Sequence, residues 1–324
     1  MGAQLRAVRA RIRAVKSIGK ITRAQELIAS SRIIRAQQRM RAAEPYAREL
    51  TQAVEAVVSR SSSISHPMVT EPEAHASAAV LILTSDSGFC GAYNANVLRE
   101  SARLRQRNDE NGTATTTYVA GSKGIGWHRF RDIPVEREWS GFSSQPTYAD
   151  AEKVATALLD AFSGEGEGEG EGEGGGAGGS AGGGAGGLTK VDEIYLVSTE
   201  FVSMLTQRPA VTRLLPLEIA EAPESERPGG PLPSYEFEPS TDDVLDALLP
   251  QYVASRIYYA MLEAAASELA ARRRAMKAAT DNANDLLDRL TREANNARQA
   301  EITQEISEIV GGSNALAEAN AGSE

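Results

Sequence analysis

The chain has 324 residues, of which 41% are hydrophobic and 24% charged, and its formal net charge is −10. This composition is typical of a globular protein with one large domain or two ordinary ones, and no run of about 18 apolar residues is present that could span a membrane. The single cysteine, Cys90, excludes an internal disulfide and favours a reducing compartment.

The N-terminal segment is basic although the chain is acidic. Residues 1–60 hold 13 basic and 4 acidic residues, whereas residues 61–240 hold 13 basic and 26 acidic ones. Besides the solvated face of an ordinary helix, we consider an Arg-rich transit peptide and a nucleic-acid-binding segment. The apolar pattern continues beyond a cleavable length, and no aromatic residue interleaves the cations before Tyr46. The charge asymmetry therefore favours a segment that meets a negatively charged partner.

A long helix is predicted over residues 1–60, interrupted only by Pro45. Leu5, Val8, Ile12 and Val15 follow the three-and-four spacing of a coiled-coil seam. We expect the same apolar stripe to continue through Ile18, Ile21, Ile28 and Ile34.

Residues 76–225 alternate between strand and helix patterns, which predicts a small, mostly parallel, Rossmann-like α/β domain. The predicted strands are residues 78–84, 115–121, 133–138, 191–202 and 210–217, and the predicted helices are residues 94–106 and 148–162. Within this domain, residues 164–187 consist almost entirely of Gly, Glu and Ala, which predicts a flexible insertion.

A second long helix is predicted over residues 240–312, followed by a flexible tail at 313–324. Pro250 is expected to kink or restart it, and Gly311 with Gly312 to end it. An apolar residue recurs every seven positions at Leu262, Leu269, Met276, Ala283, Leu290 and Ala297. Such a repeat requires a partner helix, and antiparallel pairing with the N-terminal helix is the simplest solution. The fold class is thus α/β, with a long antiparallel coiled coil added to the small domain.

Two glycine-containing turns, at residues 84–97 and 120–128, follow predicted strands, as phosphate-binding loops do. The second is expected to carry Lys123 in its loop. Neither has the G-x-G-x-x-G or G-K-[ST] spacing of nucleotide sites. Cys90 has no histidine near it in sequence to activate it, and the three histidines, His66, His75 and His128, match no metal-ligand spacing. The sequence predicts no catalytic site, no cofactor and no metal.

Three stretches carry a family resemblance: KITRAQELIASSRIIRAQ (20–37), TSDSGFCGAYNANV (84–97), and the run from AMKAATDNAND to SEIVGG (275–312). The chain resembles the gamma subunits of bacterial F-type ATP synthases over nearly its whole length, except residues 164–187. The resemblance implies a central-stalk rotor whose coiled coil lies within three alpha and three beta subunits and whose foot meets the epsilon subunit and the c-subunit ring. Catalysis would belong to beta, and attachment to the cytoplasmic face of the membrane would be peripheral, through partners.

The resemblance also implies a set of contacts with the beta subunits, at Lys20, Arg23, Gln25, Arg32, Arg35, Arg272, Arg298, Gln299, Thr303 and Glu305. Gln25 stands where many members of the family have Met. The insertion has no counterpart in most members, and its glutamates form a possible regulatory loop that impedes reverse rotation: Glu165, Glu167, Glu169, Glu171 and Glu173. Two alternatives stay open, a basic coiled-coil nucleic-acid-binding protein and a nucleotide-binding α/β protein.

Overall fold

The computed structural model describes residues 3–60, 66–72, 75–164, 190–217 and 241–321. Its elements, in chain order, are α1 (Ala3–Arg60), β1 (Ser77–Leu83), α2 (Tyr93–Glu110), β2 (Ala114–Ala120), α3 (Ser122–Phe130), β3 (Arg137–Trp139), α4 (Tyr148–Ser163), β4 (Glu193–Phe201), β5 (Gln207–Leu215) and α5 (Thr241–Ala321). The chain forms two compact units. The two-helix unit comprises residues 1–30 and 272–324, and the sheet unit comprises residues 31–271.

The two-helix unit is an antiparallel pair formed by the start of α1 and the end of α5. Thr22 Oγ1 lies 2.8 Å from Thr280 Oγ1, and Gly19 faces Ala283 so closely that an added Cβ would lie 3.5 Å from the Ala283 Cβ. A step of three residues up α1 therefore matches a step of three residues down α5. The antiparallel pairing expected from the sequence is present in this unit.

Seam positions in α1 follow an alternation of three and four residues. Leu5, Val8, Thr22 and Ala29 are buried, and the positions between them in this spacing are half-buried. On α5, Met276, Ala283 and Leu290 are buried, as are Leu262 and Leu269 in the sheet unit. The predicted seven-residue repeat of α5 is confirmed at these five positions.

The predicted continuation of the apolar stripe in α1 is wrong. Ile18, Ile21, Ile28 and Ile34 are exposed, by 53%, 62%, 46% and 58%. A strict heptad that starts at Leu5 and Val8 reaches Gly19, Thr22, Ala29 and Ile33 instead. The large isoleucines are therefore rotated off the seam, and small residues replace them there.

Helix α5 extends further than expected. It continues through Gly311 and Gly312 to Ala321, so the predicted stop at the glycines, and a flexible tail from residue 313, are wrong over the described residues. It also contains Pro250 without ending there, as α1 contains Pro45. Extended at constant register, the pairing of the two helices brings Ala3 opposite residue 299. Residues beyond that point project as a single helix for roughly 30 Å, at 1.5 Å per residue.

The sheet unit is built on five strands in the order β3-β2-β1-β4-β5. The first four are mutually parallel and β5 is antiparallel to β4, which confirms the expected mostly parallel sheet. The strand predicted at 133–138 is displaced to Arg137–Trp139. Its first part instead closes a turn after α3, because the Ile133 N–H donates to the His128 carbonyl and Pro134 has no N–H to donate to a ladder.

Helices cover both faces of the sheet. Leu81 and Ile194 pack on one face against Leu158 of α4 and Ile257 of α5. The other face, with Val80 and Ile82, packs against residues of α2 and α3. Within the same unit, α1 packs along α5 in two further clusters, Ile33 and Ala36 with Ala266, Leu269 and Ala270, and Val54, Val57 and Val58 with Leu245 and Leu249. Within the sheet unit, helix α5 thus packs against both the sheet and α1.

Candidate interaction surfaces

The two-helix unit exposes large apolar side chains around a stretch of its seam that is made of small ones, namely Gly19, Thr22 and Ala29. Ile18, Ile21 and Ile28 face outward on α1, together with Leu27, and Leu286 does so on α5. Exposed apolar patches on soluble proteins mark interaction sites, and Ile18, Ile21 and Ile28 lie within about 80° of one another around α1. The arrangement indicates that the outside of this helical pair is itself an interface.

Polar and cationic residues lie among these exposed isoleucines. Lys20, Arg23 and Gln25, three of the predicted contact residues, are exposed on α1. Arg23 donates to Glu26 at 2.8 Å, one turn further along the helix. Arg272, at the start of the α5 part of this unit, is half-buried. The surface therefore offers both an apolar patch and cations to a partner.

Four further predicted contact residues, Arg298, Gln299, Thr303 and Glu305, lie at or near the projecting end of α5, and all are exposed. The remaining two, Arg32 and Arg35, are exposed on α1 within the sheet unit. Reasoning from the sequence missed four apolar residues on the projecting end of α5: Ile302, Ile306, Ile309 and Val310, which are exposed by 44% to 71%. Their spacing of four, three and one is a helical stripe, and the signal was available in the sequence.

In the sheet unit, the glycine turn after β1 is organised by one carboxylate. Asp86 accepts hydrogen bonds from the Ser122 N–H and hydroxyl at 3.0 Å through one oxygen, and from the Gly141 and Ser143 N–H groups at 2.9 and 3.0 Å through the other. Burial opposes the charged form, but these backbone donors outweigh it and lower the pKa of Asp86. The carboxylate remains charged at neutral pH.

This geometry bears on the nucleotide-binding alternative. The Ser122 N–H belongs to the first residue of α3, where a bound phosphate would lie in a nucleotide-binding protein. The chain's own Asp86 occupies that position and carries the negative charge. Lys123 lies inside α3 and not in the loop where it was expected. The turn therefore resembles a phosphate loop in its place in the fold and not in its chemistry.

The rest of the same turn attaches the sheet to α5. Cys90 and Tyr93 are buried together with Ala271, and the Tyr93 hydroxyl donates to the Ala264 carbonyl at 3.3 Å. The Cys90 thiol is a free thiol buried in this contact, where the Asn94 amide lies 3.3 Å away. The motif that carries much of the family resemblance therefore has a structural role in this unit.

Several ionisable residues of the sheet unit form structural pairs. His66 contacts Asp246 and His75 contacts Glu193, each at 3.0 Å. His128 is buried, which lowers its pKa, and its Nδ1 donates to the Gly124 carbonyl at 2.8 Å. Over the residues that the structure describes, no group of His, Cys, Asp and Glu could hold a metal ion.

Residues 165–189, and with them the five insertion glutamates Glu165, Glu167, Glu169, Glu171 and Glu173, lie outside the described residues. The two ends of the segment are nonetheless adjacent. Helix α4 ends at Gly164 in a left-handed cap, and the Val191 N–H donates to the Ala161 carbonyl at 3.0 Å. The segment thus leaves and re-enters the fold at one point.

None of the described helices has an apolar stretch long enough to cross a membrane. A family profile described as ATP synthase matches residues 4–316. Curated relatives include the ATP synthase gamma chains of Thermobifida fusca, 53% identical over 326 residues, and of Nocardioides, 54% identical over 324 residues, each covering 100% of both chains.

Solved structures of the same fold include two chains from the mitochondrial ATP synthase of Euglena gracilis. One, from the rotor, has a TM-score of 0.61 at 14% identity and covers 93% of this chain and 100% of that one. The other, from the assembly of OSCP, F1 and c-ring, has a TM-score of 0.64 at 15% identity and covers 98% of this chain and 95% of that one.

Proposed function

Because the chain belongs to the family of ATP synthase gamma chains, we propose that it is the central-stalk rotor that transmits torque between a proton-driven c ring and a catalytic hexamer. The hexamer would consist of three alpha and three beta subunits around one copy of this chain. Catalysis would take place on the beta subunits, so this chain would have no catalytic site of its own.

The observation that carries the proposal is the exposed isoleucine face of the two-helix unit. A helical pair that served only as a scaffold would bury Ile18, Ile21 and Ile28 and expose small residues. In the stretch from Ile18 to Ala29, this one has small residues on the seam and isoleucines outside. Such a distribution is expected of a shaft that is enclosed along its length by other subunits, because enclosure removes the apolar surface from water.

The cations among the isoleucines suit a contact that must form and break repeatedly. We propose that Lys20, Arg23, Gln25, Arg32, Arg35 and Arg272 on the paired helices, and Arg298, Gln299, Thr303 and Glu305 at or near the projecting end, contact the beta subunits. Exposed ion pairs are worth only about 0–1 kcal/mol each. A series of such weak contacts guides a rotating part without trapping it at one angle.

The sheet unit would form the foot of the rotor, in contact with the epsilon subunit and the c-subunit ring. The chain would attach to the cytoplasmic face of a bacterial membrane only through these partners. The full-length gamma chains of bacteria that it matches support this location.

We further propose that the glycine- and glutamate-rich segment at 164–187 impedes reverse rotation. Since both of its ends meet at one point of the sheet unit, the segment can be removed and Ser163 joined to Leu188 through a short glycine linker. We expect the deletion to raise ATP hydrolysis relative to ATP synthesis in membrane vesicles. Equal rates of both reactions with and without the segment would remove the idea.

Assembly tests the main proposal directly. The chain is mixed with the alpha and beta subunits of the same organism, and native mass spectra record what forms. A complex of three alpha, three beta and one copy of this chain is expected, because only a central part is used once inside a threefold ring. If alpha and beta assemble correctly and this chain stays outside their complex, it is not the shaft.

A further inference from the structure

A cavity of about 160 Å³ in the sheet unit lies between α1, α5 and the segment that precedes α4. Arg32, Arg35 and Arg39, spaced three and four residues apart on α1, line one side of it. We call it the arginine cavity. Its volume is far larger than the roughly 10–15 Å³ that one water molecule requires, so a polyatomic anion fits.

The other walls of the cavity combine apolar surface with uncharged polar groups. Ala36, Leu262, Ala265 and Pro146 are buried, and Ser144 with Gln145 adds a hydroxyl and an amide at the rim. Arg32, Arg35 and Arg39 are themselves exposed, so the arginine side of the cavity is open to water. The lining includes three cations and no carboxylate.

Two carboxylates close to the cavity in the chain, those of Glu263 and Asp150, are engaged elsewhere, and the buried Glu268 on α5 does not line the cavity. Glu263, next to Leu262 on α5, accepts from the Phe201 N–H, and burial with the nearby Glu200 raises its pKa to about 6. Asp150 forms the capping box of α4 with Thr147. In the described part of the chain, no ion pair is formed by the three arginines. The three arginines that line the cavity carry like charges, which repel one another, and a bound anion would offset that repulsion.

We infer that the arginine cavity binds a small oxyanion of the phosphate class, with inorganic phosphate or pyrophosphate as the simplest members. The planar guanidinium fork matches the oxygen geometry of such anions and donates two parallel hydrogen bonds to them. Ser144 and Gln145 also line the cavity and carry further donor groups. The inference concerns the chain by itself, and does not depend on its assembly into a larger complex.

Isothermal titration calorimetry on the full chain tests this inference with pyrophosphate and orthophosphate at a fixed ionic strength of about 0.15 M, where long-range attraction is screened. Saturable binding of one anion per chain is expected. The substitutions R32Q, R35Q and R39Q are expected to weaken it by at least about tenfold each, because each removes charge-assisted hydrogen bonds. R35K keeps the charge without the fork and should retain part of the affinity.

A matched triple variant, R11Q/R41Q/R48Q, removes three exposed arginines of the same helix that do not line the cavity. It is expected to bind pyrophosphate within about threefold of the unsubstituted chain, since screening leaves distant charges little effect. Circular dichroism shows whether each variant retains its helices. Equal weakening by this triple and by R32Q/R35Q/R39Q would identify an adventitious ion only, attracted by diffuse charge.

Two further results would also overturn the inference: no saturable binding to the correctly folded chain, or binding of a glutamate-rich peptide without binding of pyrophosphate. Arg39 separates the inference from the proposed function, because it lines the cavity and is not among the proposed beta contacts. R39Q should weaken anion binding and still assemble with alpha and beta subunits. If R39Q instead prevented assembly and left anion binding unchanged, Arg39 would be a contact with the other subunits and not part of the anion site.

Discussion

The two units of this chain differ in where they place large apolar side chains. The sheet unit buries its large side chains, including Tyr118, Leu81 and Ile194, under helices on both faces. The two-helix unit keeps Gly19 and Thr22 on its seam and turns Ile18 and Ile21 outward. Burial of large side chains is expected of a domain that forms its own core. Exposure of large side chains is expected of a helical pair that buries them against other subunits.

Replacing a glycine by alanine is expected to have opposite effects in the two units, at Gly121 in the sheet unit and at Gly19 in the two-helix unit. Gly121 in the sheet unit has a φ of 109°, and an added Cβ would lie 2.3 Å from the Thr84 carbonyl oxygen. Gly121→Ala is therefore expected to lower the free energy of unfolding by more than about 3 kcal/mol, from backbone strain and overpacking together. Urea denaturation measures this.

The control for Gly121→Ala lies five residues further along the chain, inside α3. Gly126 has open space where a Cβ would go. Gly126→Ala should therefore be neutral or stabilising by up to about 1 kcal/mol, from helix propensity alone. Similar losses in the two variants would mean that the close approach of Gly121 to Thr84 is not what fixes this residue.

Asp86→Asn is expected to have the next largest effect, a loss of about 1–3 kcal/mol, because four donors lose a charged acceptor. The pKa of Asp86 is lowered in the folded state from an ordinary value of 3.8. Its contribution is thus complete above that pH and is lost as the pH falls through the folded-state pKa. The difference between the two chains in urea denaturation should therefore shrink in acid.

The exposed Asp285 on α5 provides a matched control for that substitution. Asp285→Asn should change stability by no more than about 0.5 kcal/mol at any pH, as expected of a surface position. If the pH dependence of the Asp86→Asn difference were flat down to pH 2, the assignment of a charged, hydrogen-bonded carboxylate would be contradicted.

In the two-helix unit the change from glycine to alanine is expected to have the opposite sign. An added Cβ at Gly19 would meet Ala283 at 3.5 Å, which is an ordinary contact distance. Gly19→Ala should stabilise the unit by about 0.5–1 kcal/mol, because alanine is the better helix former. Thermal unfolding of the full chain followed by circular dichroism measures the effect. A decrease in stability would show that the seam needs an even closer approach of the helices.

The smallest effect on stability is expected for Ile18→Ser, Ile21→Ser and Ile28→Ser combined. Since these side chains are exposed, each should change the free energy of unfolding by no more than about 0.5 kcal/mol. The triple variant should bind the alpha and beta subunits with an affinity at least about tenfold lower, as expected when large apolar contacts are lost. Native mass spectrometry at decreasing protein concentration measures this.

For comparison, Val8→Ser places the same chemical change on the seam. It should lower the stability of the free chain, because a buried apolar side chain is lost. If the triple variant were as unstable as Val8→Ser and assembled normally, the three isoleucines would stabilise the free chain and would not form the interface. That result would contradict the proposed interface.

Local patterns in the sequence determined much of the architecture. The seven-residue repeat at Leu262, Leu269, Met276, Ala283 and Leu290 identified the buried stripe of α5, because helical periodicity is a property of neighbouring residues. The apolar runs at 78–84 and 191–202 identified β1 and β4, and their alternation with helices indicated a mostly parallel sheet. The resemblance of three motifs indicated the family that the comparisons show.

Only the tertiary structure decided which apolar residues are inside. Ile18 and Gly19 are neighbours in sequence. A drifting apolar stripe places Ile18 on the seam, whereas a strict heptad places Gly19 there, about 100° further around the helix. The register of α1 against α5 settles that choice through distant pairs such as Thr22 and Thr280. Asp86 is similar, since its donors come from residues 36 to 57 positions away. The sequence thus determined most of the elements, whereas the contacts between elements far apart in the chain decided which surface is left for a partner.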